Sequence, residues 1–244
     1  MATKAKANAW DVAEAFVSEH AEQLRGAESS EQIVELIRSA EVMKKARGVW
    51  PKILTELDKQ LDIDFPGMRT REHNERVEQI TAATAGQAVL HLFTAGDAEA
   101  NSFAICDNEG AVLWYSEFFE SERLPEDNPE AGAAMLALEK AIYLAGQVRD
   151  KTGLDGLALV AHHAHPQPNG LERLSRKASA NGVLVRFAHE GEDNPAVEWC
   201  RENGYRSWRE VKLRDLLATA QHDDEDPAPA SESPNSDDAN EAVA

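Results

Sequence analysis

Near residue 88 the hydrophobic period of the chain changes, and that change constrains the fold more than any other feature. Upstream, apolar residues recur at spacings of three and four, as in Trp10, Ala13, Phe16, Val17 and Leu24 and again in Ile33, Ile37, Ala40 and Met43. That is the period of one helix face. Ser29 followed by Gln32 is a capping-box signature that predicts the start of a second helix. Gly48 is placed to end it, and Pro51 opens a third helix over about residues 51–62. Residues 1–64 therefore predict a small helical module. Over residues 65–86, opposite charges at helical spacing, among them Arg69, Glu72 and Arg76, predict a solvated connecting helix.

Downstream the pattern is one of strands. Residues 88–93, 102–106 and 111–115 are short apolar runs, and Asp107-Asn108-Glu109-Gly110 is a turn signal between the last two. Asn128-Pro129-Glu130 reads as a helix start, with Asn at the cap and Pro at the first helical position. Ala131, Ala134, Met135, Leu138, Ile142, Ala145 and Val148 continue that helix along one face, up to Gly153. A strand at residues 157–160, a helix at 171–180 and a strand at 183–187 follow, then helical stretches at 195–203 and 208–218 interrupted by Gly204. The predicted order is β-β-β-α-β-α-β-α, an α/β domain over residues 87–220.

Charge limits the partners. The chain has 44 acids against 25 bases, a net charge of −19, which argues against coating nucleic acid by bulk electrostatics. Eight of the acids lie in residues 221–244, which contain no Lys or Arg; without them 36 acids face 25 bases, a net −11. The composition of 221–244 predicts a disordered acidic tail. Cys106 and Cys200 are too few for a disulfide framework. No apolar run is long enough to span a membrane, and no secretory signal is evident, so a cytoplasmic location is expected.

The order and lengths of the elements over about 130 of the 244 residues resemble the ribonuclease H family. In that family a first strand ends in a pattern like Thr-Asp-Gly-Ser; here it reads Phe93-Thr94-Ala95-Gly96-Asp97. The family's first long helix opens on a catalytic Glu and ends its alanine-rich turns in Ala-Leu-Glu, matched by Glu130 and by Ala137-Leu138-Glu139. The family's fourth strand ends in a catalytic Asp, where this chain reads Leu159-Val160-Ala161-His162-His163. His189, Asn194 and Glu198 stand at the spacing of the family's His, Asn and last carboxylate. The resemblance implies a mixed five-stranded sheet with flanking helices, and hydrolysis of a phosphodiester by two divalent ions held by carboxylates.

Carried over residue by residue, the resemblance makes Glu130, Glu198, Asp97 and His189 the candidate catalytic residues. Asp97, Glu130, His162 and Glu198 become the candidate metal ligands, for Mg²⁺ or Mn²⁺. Two positions depart from the pattern: Ala95 stands where the first-strand Asp belongs and His162 where the fourth-strand Asp belongs. Asp97 shares a strand face with Ala95, displaced by about 6–7 Å along the strand. His162, His163 and His165, with His189 nearby, form a second candidate cluster for a transition metal. Arg173, Arg176, Lys177, Arg186, Arg206 and Arg209, with Trp199, Tyr205 and Trp208 interleaved, are the candidate contacts to a nucleic-acid backbone.

The expected function is a ribonuclease H-like protein with a degraded two-metal site that binds RNA/DNA hybrid or structured nucleic acid with weak or no cleavage. Two alternatives stand beside it: an active metal-dependent hybrid endonuclease, and a protein-interaction scaffold whose partner meets the N-terminal helices.

Overall fold

The structure is a computed structural model that describes residues 8–168 and 170–220. The segment expected to form a disordered tail, 221–244, lies outside the described residues.

Five helices make the N-terminal module: α1 (Ala9–Glu19), α2 (Ala21–Arg25), α3 (Ser30–Ser39), α4 (Val42–Lys45) and α5 (Val49–Leu61). Asn8 caps α1 by accepting from Trp10 N, and Ser29 caps α3 by accepting from Gln32 N. The apolar stripes converge on one core holding Phe16, Leu24, Ile33, Ile37, Ile53 and Leu57. The second predicted helix breaks in two, because Glu41 turns the chain through the left-handed region at φ 51° between α3 and α4.

The connecting segment is the 20-residue helix α6 (Phe65–Thr84), capped by the Asp64 carboxylate on Gly67 N at 2.9 Å. It is docked on both sides. Phe65 belongs to the core of the module, and at its far end Ile80, Ala83 and Thr84 crowd Gly156.

The sheet strands are β1 (Val89–Asp97), β2 (Ser102–Cys106), β3 (Val112–Glu117), β4 (Leu157–His163) and β5 (Val183–His189). They lie in the order β3-β2-β1-β4-β5, with β1–β2 and β2–β3 antiparallel and β1–β4 and β4–β5 parallel. Antiparallel neighbours can be joined by tight turns, whereas each parallel pair needs a crossover. Helices α7 (Pro129–Thr152) and α8 (Leu171–Ala180) supply the crossovers into β4 and β5. The sheet is therefore mixed, and the parallel half of it sends the carboxyl ends of β1, β4 and β5 to the same edge.

Helix α7 covers one sheet face. Asn128 caps it by accepting from Ala131 N, and Gly153 ends it in the left-handed region at φ 73°. Its buried Ala133, Ala137, Leu138 and Ala141 meet Leu90, Leu92, Phe103 and Leu159. Small residues allow a close approach, closest at Gly96, where an added Cβ would lie 2.3 Å from the Ala133 carbonyl oxygen. Only glycine fits there.

The opposite face is covered by the one-turn helix α9 (Ala196–Trp199), whose Ala196 packs with the following Cys200 against Ala95, Ala104, Cys106 and Val112. The two helical stretches expected at 195–203 and 208–218 both come out shorter, since α9 ends at Trp199 and only a 3-10 turn forms at Trp208–Glu210. After α9 the chain passes Gly204 at φ 105° and pairs Arg206 with Tyr115 on the β3 edge, through Tyr115 N to Arg206 O at 3.2 Å and Arg206 N to Tyr115 O at 2.9 Å. That pairing with an open strand edge competes with helix continuation. A short helix, α10 (Asp215–Ala220), then ends the described chain.

Candidate functional site

At the carboxyl end of β1 the strand runs four residues beyond the predicted apolar run, so Ala95, Gly96 and Asp97 are all strand residues. Side chains alternate across a strand, which puts Phe93, Ala95 and Asp97 on the α9 face. Phe93 and Ala95 belong to the apolar cluster under α9. Each oxygen of the Asp97 carboxylate has one partner: Oδ1 accepts from Ala100 N at 2.8 Å, and Oδ2 accepts from Arg201 Nε at 3.3 Å. Arg201 stands two residues after α9, so the ion pair ties the end of β1 to the end of that turn.

Glu130 stands in the first turn of α7, and its Oε2 faces Ala98 N at 3.5 Å. The turn after β1 is thus flanked by two acids, Asp97 and Glu130. A carboxylate at the start of α7 is favoured by the exposed N–H groups of the helix end. Glu198 is exposed on α9, one turn before Arg201, and its side chain forms no hydrogen bond or ion pair with the described residues.

His162 is placed differently. The β1–β4 register sets it beside Phe93, not beside Ala95; of the residues just after β4, Ala164 packs against the cluster under α9 that holds Ala95. His162 stacks on Phe93 with ring centroids 4.5 Å apart. Its Nδ1 lies 2.7 Å from Glu190 Oε1, and its Nε2 lies 3.1 Å from His91 Nδ1. A carboxylate only accepts, so Nδ1 carries a proton; in the neutral ring Nε2 then accepts from His91 Nδ1–H. His91 joins this chain unannounced by any motif. The one sign of it was its position two residues before Phe93, on the same strand face.

The other histidines turn the opposite way. His163 is buried on the α7 face, with Nδ1 donating to the His165 carbonyl at 2.7 Å. Burial pushes its pKa down, as do the neighbouring His189, His165 and His162, against the raising effect of its carbonyl bond. His189 is the register partner of His163 on β5, 5.7 Å away between ring centroids, and its Nε2 donates to the Ala164 carbonyl at 3.1 Å. His162 and His189 therefore do not gather at one point.

Asn194 holds the ends of these strands together. Only 2% exposed, it donates through Nδ2 to the carbonyls of Thr94 on β1 and His162 on β4, at 3.2 and 3.3 Å. Its Oδ1 accepts from Ala196 N at 3.0 Å, starting α9. A residue placed by family spacing acts here as a strap between two strands and a helix.

The donor set at this edge does not fit a two-metal site. Ala95 offers no ligand atom, Asp97 is neutralised by Arg201, and His162 is turned to Glu190 and His91. Among the described residues no group of three His, Cys, Asp or Glu side chains converges as a metal ion requires.

The basic residues fall in three places. Arg173, Arg176 and Lys177 are exposed on α8, where Arg173 and Lys177 share the single carboxylate of Glu139. Arg186 is exposed on the edge strand β5. Arg206 and Arg209 lie beyond the β3 edge, across the width of the sheet; Arg206 Nη1 donates to the Val112 carbonyl at 2.5 Å and Arg209 lies over Trp208. Of the aromatics singled out with them, Trp199 packs on Tyr115 and Trp208 on Tyr143, while Tyr205 is 74% exposed. The six basic side chains do not form one continuous surface.

No helix among the described residues is long and apolar enough to cross a membrane. Compared with models of protein families, with curated proteins and with solved structures, the chain finds no match in any of the three.

Proposed function

We propose that residues 87–220 form a ribonuclease H-like domain that binds nucleic acid, with an RNA/DNA hybrid as the ligand its resemblance implies, and that does not cleave it efficiently. The mixed five-stranded sheet, with α7 and α8 as crossovers, supports the resemblance. The observation that carries the loss of cleavage is the Asp97–Arg201 ion pair beside Ala95. A cation from the protein is paired with Asp97, and the residue two before Asp97, on the same strand face, is an alanine. Two-metal hydrolysis depends on carboxylates that hold both ions and offset their charge, so removing one donor and neutralising the nearest substitute leaves the edge able to contact a ligand but not to activate water.

The test is a labelled RNA/DNA hybrid incubated with the protein in Mg²⁺ and separately in Mn²⁺, beside a Glu130→Ala variant. The proposal expects intact hybrid in every lane. Cleavage by the native chain that disappears in Glu130→Ala would overturn it in favour of an active endonuclease.

A further inference from the structure

We infer that the groove between α6 and α8 is a phosphate-backbone site, taking phosphates of a nucleic-acid strand. The inference rests on the nucleic-acid reading above and gives that ligand a place on the molecule. The groove is distinct from the strand edge of Asp97 and Glu130.

Helices α6 and α8 pack through His73 Nδ1 and Ser179 Oγ, 2.9 Å apart, and α8 continues into the sheet through β5. The connecting helix and the crossover helix thus form two walls of fixed spacing. Between them is a crevice of about 480 Å³ lined by Arg69, Arg173, Arg176, Lys177 and Ala180, with Glu172 as its one acid. Four cations against one carboxylate is the reverse of a chain that carries 44 acids and 25 bases. A second crevice of about 680 Å³ shares Arg69, Arg176 and Ala180 with the first and runs on past Arg76 to Trp50 and the start of α3. Its charges balance, Arg38, Arg69, Arg76 and Arg176 against Glu28, Glu31, Glu72 and Glu75, so the excess of cations lies at the first crevice. The shared residues make the two crevices one groove.

Arg176 is paired with Glu172 at 2.6 Å, but the two arginines of α6 are uncommitted. Neither Arg69 nor Arg76 makes a hydrogen bond or ion pair with the described residues; they reach Glu72 only as more distant charges that help lower its pKa. Glu72 itself is held by the Ser30 N–H at 2.6 Å and by the Ser30 hydroxyl. Arg173 and Lys177 together have only Glu139. The field is visible at His73, whose protonation is disfavoured by burial and then by Arg176 and Arg76, with Glu172 acting in the opposite sense.

Arg69 and Arg76 are seven residues apart on α6, about two turns and about 10 Å along the axis. That separation is longer than one phosphate-to-phosphate step of a strand and suits contacts to phosphates that are not adjacent, and guanidinium groups suit phosphate because they bind it through paired N–H donors. Trp50, half-buried against the core of the module, lines the far wall of the groove. A compact, singly charged ligand would use only part of such a groove. A chain of phosphates uses all of it.

The experiment measures binding of a fluorescein-labelled RNA/DNA hybrid and of inorganic polyphosphate to the full chain and to Arg69→Glu/Arg76→Glu, across a salt series. Both arginines are exposed, and a thermal melt checks that the variant keeps its fold. The expected result is a loss of affinity of about tenfold or more at 0.1 M salt for both probes, with a log–log salt slope shallower by about 2. As a second readout, the His73 pKa, followed by NMR, rises when polyphosphate is added to the native chain and does not move in the variant. Hybrid binding by the native chain with unchanged affinity and slope in the variant overturns the groove while leaving the nucleic-acid reading intact. No hybrid binding by the native chain overturns both.

Discussion

Arg201 Nε lies 3.3 Å from Asp97 Oδ2, joining the end of β1 to the second residue after α9. Asp97 is 19% exposed and Arg201 71%, so the pair is open to solvent on one side and adds little to stability by itself. Its effect is on chemistry. With Arg201 in place, the charge of the carboxylate nearest Ala95 is compensated by the protein. The single variant Arg201→Gln should gain no metal response, since Ala95 still offers no oxygen. Ala95→Asp/Arg201→Gln should gain one. A metal bound only by the folded state at ten times its Kd stabilises by about 1.4 kcal/mol, a rise in melting temperature of about 3–5 °C. Thermal melts with and without Mn²⁺ would show it, and equal shifts in the native chain would count against the account.

Gly96→Ala tests how closely β1 crosses α7. The added Cβ meets the Ala133 carbonyl at 2.3 Å and its carbon at 2.4 Å, both backbone atoms that no rotamer change can move. Denaturant unfolding is expected to show a loss of about 1–3 kcal/mol. Ala133→Gly should not rescue it, because the obstacle is not the Ala133 side chain.

Stability should fall with acid in two stages. His73 and His163 both have folded pKa values below the ordinary 6.5, His73 through burial and then Arg176 and Arg76, His163 through burial and then its histidine neighbours. The unfolded chain therefore binds more protons than the folded one below pH 6.5; the fold is at full advantage above that pH and loses it as pH falls. Glu56, held by Gln60 and Lys59, and Glu72, where the Ser30 bonds and the two arginines outweigh desolvation, have pKa values below 4.5. Their contribution is present above pH 4.5 and lost below it. Denaturation midpoints measured from pH 8 to pH 3 should show both stages, and His73→Asn should flatten the upper one.

Both thiols should be silent in the folded protein. Burial pushes Cys106 up to about 12, with Asp107 adding to it, and burial pushes Cys200 up to about 12 as well. Since the thiolate is the reactive form, a thiol reagent at pH 8 should label neither cysteine in the native chain and both after denaturation. Rapid labelling of the native chain would mean that the seam between α9 and the sheet is open.

Asn194→Ala should cost more than an ordinary buried substitution. The side chain bonds two strand carbonyls and one helix-start N–H. The His162 carbonyl keeps the Thr94 hydroxyl at 3.2 Å, but the Thr94 carbonyl and the Ala196 N–H lose this partner, each loss worth about 1–3 kcal/mol. The expected loss is about 2–4 kcal/mol in denaturant unfolding, with exposure of Cys200 to thiol reagents as the local sign.

The parts legible in the sequence were those written in local signals. Asn128 and Pro129 open α7 and Gly153 closes it, and Ser29 caps α3. What escaped was set by contacts between residues far apart in the chain. Gly204 announced the interruption after α9, but nothing near residue 206 announces the strand edge at Tyr115 with which it pairs. The place of His162 depends on the β1–β4 register, because a shift of one residue would have turned it to the other face. The docking of α6 through His73 and Ser179 was hidden in a stretch that reads as a solvated charged helix. At the candidate site, Ala95 and Asp97 were readable one by one; the Arg201 that answers Asp97 was visible only once α9 was folded back over β1.

The most direct test of the central claim is equilibrium binding of a labelled RNA/DNA hybrid to the full chain without divalent metal, at increasing salt. The account predicts measurable binding that weakens linearly in log–log form as salt rises, with the hybrid recovered intact. Absence of binding even at the lowest salt would contradict it and leave the basic groove and the strand edge without a nucleic-acid ligand.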